Sequence, residues 1–125
     1  MNTLNLIHPA SSDIQFKTMF FPDGQPHIKI DVASAAKCDK VELVRILTRI
    51  ASPADLMMVL FVKNALDYLE FDNVQLSISY LMAARMDRVM LDGEPFSLKV
   101  IAGILNQGGF KKFKSLIPTP KWQPQ

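Results

Sequence analysis

The sequence predicts an α/β protein: a parallel sheet with flanking helices, preceded by a β-hairpin. Three observations lead to this fold class. Strand-like and helix-like segments alternate between residues 41 and 107, proline opens both helices, and turn residues join two strand-like runs near the start. The chain has 125 residues, 49% of them hydrophobic and 21% charged, which fits one globular domain.

The hairpin is predicted from turn chemistry. Residues 16–21 and 27–32 are rich in Phe, Ile and Val, and Pro22, Asp23 and Gly24 lie between them. Proline, aspartate and glycine are residues that favour tight turns between antiparallel strands.

A strand and a long helix follow the hairpin. Apolar and polar residues alternate over 41–47, which predicts a strand, and a loop is expected over 48–52. Ser52 is a good N-cap, Pro53 fits the first helical position, and an acidic residue follows in the first turn. We expect the helix to span 53–70, with its apolar first half covered on more than one side.

The strand–helix order then repeats. Residues 74–80 form a predicted strand, residues 81–94 a polar loop, and residues 95–107 a second helix that stops at two glycines. A further strand could begin within 110–117. No strand could continue far beyond it, because three prolines crowd the end of the chain: Pro118, Pro120 and Pro124.

Composition narrows the range of functions. The formal net charge is +2, from 14 basic and 12 acidic residues that are mixed along the chain, so we expect neither a nucleic-acid nor a membrane partner. The longest apolar run, over 56–62, is far below the ~18 residues typical of a membrane span. Without a signal-peptide pattern, the expected location is cytoplasmic.

Disulfide and zinc chemistry are not expected. Cys38 is the single cysteine of the sequence, and His8 and His27 are its two histidines. These residues cannot form a disulfide framework or a Cys/His zinc site within one chain. No catalytic residue is assigned, and Cys38 is interpreted as a small packing residue.

Two places could bind a nucleotide. Ligands of parallel α/β sheets bind at the carboxyl ends of strands, where the loop after Tyr80 carries Arg85, Asp87 and Arg88. Arginine can form bidentate hydrogen bonds with phosphate oxygens and stays charged, so these residues suit a nucleotide triphosphate. The alternative is a solvated loop with local ion pairs. The N-terminus of the helix that is predicted to begin after Gly93 could also bind an anion.

The hairpin turn is the second place. Phe21, Asp23 and Gln25 lie on it, and an exposed phenyl ring there could stack on a base. The alternative is a plain turn with a half-buried phenylalanine.

Three motifs, in this order, resemble those of the phosphoribosyl pyrophosphate synthetases (ribose-phosphate pyrophosphokinases). That family carries Arg-Phe-Ser/Pro-Asp-Gly-Glu in an early turn, Tyr-Ala-Arg-Gln-Asp-Arg/Lys after a strand, and Pro-Ile-Ser-x-Lys at the start of a helix. The corresponding stretches here are Phe20-Phe21-Pro22-Asp23-Gly24-Gln25, Ala84-Arg85-Met86-Asp87-Arg88 and Gly93-Glu94-Pro95-Phe96-Ser97-Leu98-Lys99.

The resemblance implies a fold, an activity and a set of ligands. The fold is that of a type I phosphoribosyltransferase-like N-terminal domain. The family uses magnesium to transfer the β,γ-diphosphoryl group of ATP to the 1-hydroxyl of ribose 5-phosphate, by positioning and charge neutralisation. ATP would be bound by Phe21, Asp23, Gln25, Arg85, Met86, Asp87 and Arg88.

In detail, the resemblance assigns different roles to these residues. Phe21 would stack on adenine and Asp23 would hydrogen-bond it, both reaching into the site of a neighbouring subunit. Arg85 would approach the triphosphate. The sequence also departs from the family: Gln25 replaces a glutamate, Met86 a polar glutamine, and Ala83 an aromatic residue. These departures weaken the predicted recognition of adenine and phosphate.

The resemblance also predicts that residues 1–113 form an incomplete synthetase N-terminal domain and that 114–125 are an irregular, proline-rich tail. The family's magnesium-binding histidine and ribose-phosphate loop have no counterpart here, so we expect no metal site and no activity from this chain alone. One codon assignment for 114–125, read in a shifted frame, gives the family's Asp-Pro-His-Ser continuation. The hypothesis that follows is a frame-shifted end, in either a truncated remnant of a full-length synthetase gene or the product of a sequencing error.

Three functions remain open at this point, one of which is a plain nucleotide-binding α/β domain whose motifs match by chance and which would have no synthetase partner. The chain could be the ATP-side domain of an enzyme, inactive without the missing half. It could instead be a non-catalytic, synthetase-associated module that binds or regulates a full-length synthetase. Either of the latter two functions fits a homo-oligomer or a complex with a synthetase subunit.

Overall fold

The computed structural model describes residues 2–82, 92–93, 95 and 97–110, together with the backbone of 112–115. Its elements, in chain order, are β1 (Asn2–Asn5), β2 (Phe16–Phe20), β3 (Pro26–Ile30), α1 (Val32–Ala36), β4 (Val44–Ile50), α2 (Pro53–Tyr68), β5 (Val74–Leu81), α3 (Ser97–Asn106) and β6 (Lys112–Ser115).

Four of these strands form one parallel sheet in the order β1-β4-β5-β6. The other two, β2 and β3, form the predicted antiparallel hairpin. β4 is buried at alternate positions, and β5 is buried at three successive positions at its start. The predicted fold class, a parallel α/β sheet with flanking helices and an N-terminal hairpin, is therefore confirmed.

Helix α2 follows its predicted signals closely. The Ser52 hydroxyl accepts a hydrogen bond from the Asp55 N–H at 3.2 Å, and the Asp55 carboxylate accepts one from the Ala51 N–H at 3.0 Å. The helix ends at Tyr68 rather than at residue 70, because Glu70 adopts a left-handed φ of 69°. A residue in this conformation stops a right-handed helix.

The two methionines of α2 have different environments. Met58 is buried in the core, whereas Met57 is 41% exposed.

The first strand of the predicted βα repeat lies three residues later than expected. β4 spans Val44–Ile50, and not 41–47, so the predicted loop at residue 48 is strand instead. Asp39 explains the shift, since its side chain accepts a hydrogen bond from the Val41 N–H at 3.0 Å and holds this segment in a turn. Val41 is consequently exposed.

Two elements were not predicted. β1 is a short strand in which Leu4 alone is fully buried, so its sequence has little periodicity. The predicted strand 27–32 included Val32, the first residue of α1, and no element was predicted for residues 33–36. Asp31 caps α1 by accepting a hydrogen bond from the Ala33 N–H at 3.1 Å, which turns the chain out of the strand one residue before Val32.

The later elements agree with prediction to within two residues. α3 begins at Ser97 and ends at Asn106, and Gly109 beyond it has a φ of 82°. The strand expected within 110–117 is present as β6, which pairs with β5. Within the described residues, no helix is long and apolar enough to cross a membrane.

Candidate functional site

The hairpin turn holds three of the predicted ATP-binding residues together. The Phe21 N–H donates to the Gln25 carbonyl at 2.9 Å, and the Gly24 N–H donates to the Phe21 carbonyl at 2.8 Å. The Asp23 carboxylate accepts a hydrogen bond from the Gln25 N–H at 3.0 Å. Gly24 has a φ of 90°, a conformation that favours glycine. The turn is therefore closed by its own backbone.

The side chains of this turn remain available to a ligand. Phe21 is 37% exposed and its ring lies 5.3 Å from the ring of His27, centroid to centroid. One carboxylate oxygen of Asp23 accepts a hydrogen bond from the Gln25 N–H. The other oxygen accepts no hydrogen bond from any described residue. An exposed ring beside a free acceptor oxygen can stack on a heterocycle and accept from its amino group.

The other predicted ATP residues cannot be placed. Arg85, Met86, Asp87 and Arg88 lie outside the described residues. The strand that leads to them is described, and Tyr80 stands near its end. Their assignment, like that of the hairpin residues, stays a prediction.

Arg49 marks the carboxyl edge of the sheet and was missed in the sequence. Its guanidinium lies 5.0 Å from the centroid of the Tyr80 ring, a distance typical of a cation–π contact. Residue 49 had been assigned to a loop. Ligands of parallel sheets bind at the carboxyl ends of strands, and applying this principle to β4 as well as to β5 would have identified Arg49.

A cavity of about 380 Å³ opens at this edge, between β4, the start of α2 and the hairpin. Its polar lining residues are Thr18, Thr48, Arg49 and Asp55, and Phe20 is among the apolar ones. Thr18 and Phe20 belong to β2, and Phe20 directly precedes Phe21, so the cavity lies beside the hairpin, close to its turn.

Cys38 is a packing residue rather than a reactive thiol. Burial raises the pKa of its thiol, and the nearby Asp13 carboxylate raises it further. A raised pKa disfavours the nucleophilic thiolate at neutral pH. The described residues also contain no group of three His, Cys, Asp or Glu side chains that could hold a metal ion.

An open parallel sheet with polar side chains at its carboxyl edge defines a class of α/β proteins that bind ligands at that edge. Comparison with known proteins makes the class more specific. No protein-family model matches the chain. The ribose-phosphate pyrophosphokinase of Methanobrevibacter smithii is 28% identical over 97 residues, which are 78% of this chain and 31% of that protein.

A solved structure agrees with this relative. The crystal structure of the phosphoribosylpyrophosphate synthetase from Mycobacterium smegmatis superposes with a TM-score of 0.66 at 20% identity. The match covers 82% of this chain and 33% of that one. The predicted resemblance to these synthetases is confirmed over most of the chain, and the chain spans about a third of the length of the relatives that it matches.

Proposed function

We propose that this chain is the ATP-side domain of a ribose-phosphate pyrophosphokinase. The observation that supports the proposal is the fold, which matches a synthetase structure over 82% of this chain with a TM-score of 0.66. The hairpin also offers Phe21 and Asp23 at an exposed turn. In the related enzymes, as the sequence motifs imply, that turn binds adenine.

The chemistry that the domain would support is the transfer of a diphosphoryl group from ATP to ribose 5-phosphate. Positioning of the triphosphate and neutralisation of its charge account for most catalysis of this kind. This chain's contribution would be to hold adenine at the hairpin and phosphate near the loop after β5. The prediction that the chain is inactive alone stays open to assay.

Magnesium does not fit a dedicated protein site within the described residues, which hold no cluster of potential ligands. Mg²⁺ is commonly bound through substrate phosphates with few protein ligands. It would enter together with the nucleotide, so we derive no step from a protein-bound metal.

The experiment is a calorimetric titration of the chain with ATP in the presence of magnesium. Phe21→Ala should weaken binding about 5- to 150-fold, because base stacking on an aromatic ring is worth about 1–3 kcal/mol. The matched control is Tyr68→Ala, which removes another exposed aromatic ring, at the end of α2 and away from the hairpin. That control should leave the affinity unchanged.

A second pair of variants tests the carboxylate. Asp23→Asn should weaken ATP binding, because the amide loses one acceptor oxygen and the negative charge. Asp39→Asn is its control, since Asp39 makes the same kind of side-chain bond, to the Val41 N–H, in a different turn. Equal loss of ATP binding in both variants, or no ATP binding by the parent chain, would contradict the proposal.

The non-catalytic module is a second candidate because the hairpin exposes a run of large apolar side chains. Met19, Phe20 and Phe21 are all partly or largely exposed, and such a run suits contact with another subunit. Co-purification with the full-length M. smithii ribose-phosphate pyrophosphokinase tests this function. Stable binding by a chain that does not bind ATP would favour the module over the ATP-side domain.

A further inference from the structure

The two faces of the parallel sheet differ in the residues that they carry. Successive residues of a strand point to opposite faces. On the first face, Leu4, Ile46 and Leu76 are neighbours in register and are each 0% exposed. The rows on either side of them form the second face, which is polar apart from one leucine: Thr3, Arg45 and Gln75 in one row, and Asn5, Leu47 and Ser77 in the other.

The described helices and the hairpin all lie on the first face. The connections from β1 to β4, from β4 to β5 and from β5 to β6 advance across the sheet in one direction, and right-handed crossovers of this kind place their connecting elements on one side. Burial agrees, because α1, α2, α3 and β3 all contribute to the core cluster that contains Ile46. Leu47, on the second face, does not belong to that cluster.

A parallel sheet with one open face is unusual, because parallel sheets are almost always covered on both faces. Five of the six side chains of the second face are partly exposed. The sixth, Gln75, is buried, and its side-chain oxygen accepts a hydrogen bond from the Arg45 Nε–H at 3.2 Å. In the described part of the chain, the second face therefore has no helical layer of its own.

The second face is also basic. The Arg45 guanidinium has no carboxylate within ion-pair distance among the described residues. The residues of β6 that pair with Gln75 and Ser77 are both lysines, Lys112 and Lys114. Across the four strands, these two rows therefore contain three basic residues and no acidic one, so a layer that covers them must supply negative charge.

We propose that the second face binds an acidic helix of a partner chain. Helices, rather than strands, cover the faces of parallel sheets, and carboxylates on the helix would pair with Arg45. Single-stranded nucleic acid is a poorer fit, because its bases stack on aromatic rings and the two rows contain none. A second copy that packed face to face would bring like charges together. The proposal does not depend on ATP binding at the hairpin.

The test is an amide NMR titration of the chain with two alanine-based helical peptides. One peptide carries a row of glutamates four residues apart, on one face of the helix, and the other carries lysines at the same positions. The glutamate peptide should give saturable shifts at residues 3–5, 45–47 and 75–77, and the lysine peptide should give none. Shifts confined to other residues, no saturation, or equal binding of the two peptides would overturn the proposal.

Charge variants test whether Arg45 determines this preference. Arg45→Gln should weaken binding of the glutamate peptide about fivefold, as expected for a partly exposed ion pair. Arg45→Glu should abolish that binding and allow the lysine peptide to bind. The matched control is Lys17→Glu, which reverses an exposed charge on the hairpin and should leave the affinity unchanged. Equal losses in the Arg45 and Lys17 variants would show a non-specific charge effect and would overturn the site.

Sedimentation of the chain without peptide tests the choice of partner. Arg45→Glu should not change the state of association of the chain. Self-association that this variant abolishes would mean that a second copy covers the second face, and it would overturn the choice of an acidic helix. Phe21→Ala should leave peptide binding intact and Arg45→Gln should leave ATP binding intact, so that failure of the adenine site and failure of this surface can be told apart.

Discussion

The parallel sheet and the hairpin are held in place by different forces. Side chains of β4 and β5 that face the core are almost completely buried. In the hairpin, β3 buries one face, whereas every residue of β2 after Phe16 is exposed. Hydrophobic burial therefore fixes the sheet, and turn hydrogen bonds with one buried face fix the hairpin.

This difference matters for function. The predicted adenine-binding side chains lie on the element with the least packing, so they can be changed at little cost to stability. The cavity lies where the two regions meet, because β4 and α2 line it together with Thr18 and Phe20 of the hairpin. Stability measurements can therefore show whether the two regions are as different as the structure indicates.

The largest expected contrast is between two phenylalanines. Phe71 is 1% exposed in the core and Phe20 is 59% exposed on the hairpin. Phe71→Ala should lower the free energy of unfolding by about 3–5 kcal/mol, and Phe20→Ala by less than about 1 kcal/mol. Denaturant titration of both variants measures these changes. Similar losses would mean that the hairpin is packed as tightly as the core.

An ion pair on α2 should have an intermediate effect. Lys63 is buried and paired with the half-exposed Asp67, and its ammonium lies 5.8 Å from the centroid of the Phe110 ring. Asp67→Ala should cost about 1–2 kcal/mol, because it leaves a buried charge without its carboxylate, although solvent near Asp67 reduces the loss.

The double variant Lys63→Met with Asp67→Ala is the control for this pair. It removes the buried charge as well as its partner, so it should recover most of the stability lost in Asp67→Ala. No recovery in a thermal melt would show that the loss comes from packing by the Asp67 side chain and not from the unpaired ammonium.

The N-cap of α2 should have a smaller effect. Ser52→Ala removes the acceptor for the Asp55 N–H and should lower the free energy of unfolding by about 1 kcal/mol. Ser52→Thr keeps a hydroxyl at the same position and should lose much less. A Ser52→Ala variant as stable as the parent chain would mean that the Asp55 bond to the Ala51 N–H holds this turn by itself.

Two glycines give the smallest effects, and the effects have opposite signs. Gly24 has a left-handed φ in the hairpin turn, whereas Gly103 lies inside α3, and neither has an atom within 4 Å of an added Cβ. Gly24→Ala should destabilise by about 1 kcal/mol, and Gly103→Ala should stabilise by about 0.5–1 kcal/mol. Melting temperatures of the two variants test both signs.

The sequence predicted the elements whose signals are local and strong. Ser52 and Pro53 located the start of α2, and Pro22, Asp23 and Gly24 located the hairpin turn. β1 could not be predicted, because its four residues bury one side chain and gain their place only by pairing with β4, far along the chain. Such tertiary pairing leaves no periodic pattern in a short segment.

The candidate sites were predictable to different degrees. Phe21, Asp23 and Gln25 followed from turn chemistry and from the resemblance to the synthetases. Thr48 and Arg49 were missed because the strand was placed three residues early, which moved them into a loop. The turn at Asp39, which causes that shift, depends on a side-chain hydrogen bond that residue composition does not specify.

The most direct test of the proposed ATP-side domain is amide chemical-shift mapping of the chain with ATP and magnesium. The proposal predicts saturable shifts at residues 21–25 of the hairpin and at residues 85–88 after β5, with both sets following one binding curve. ATP that shifts neither segment would contradict the assignment of this chain as the ATP-side domain of a ribose-phosphate pyrophosphokinase.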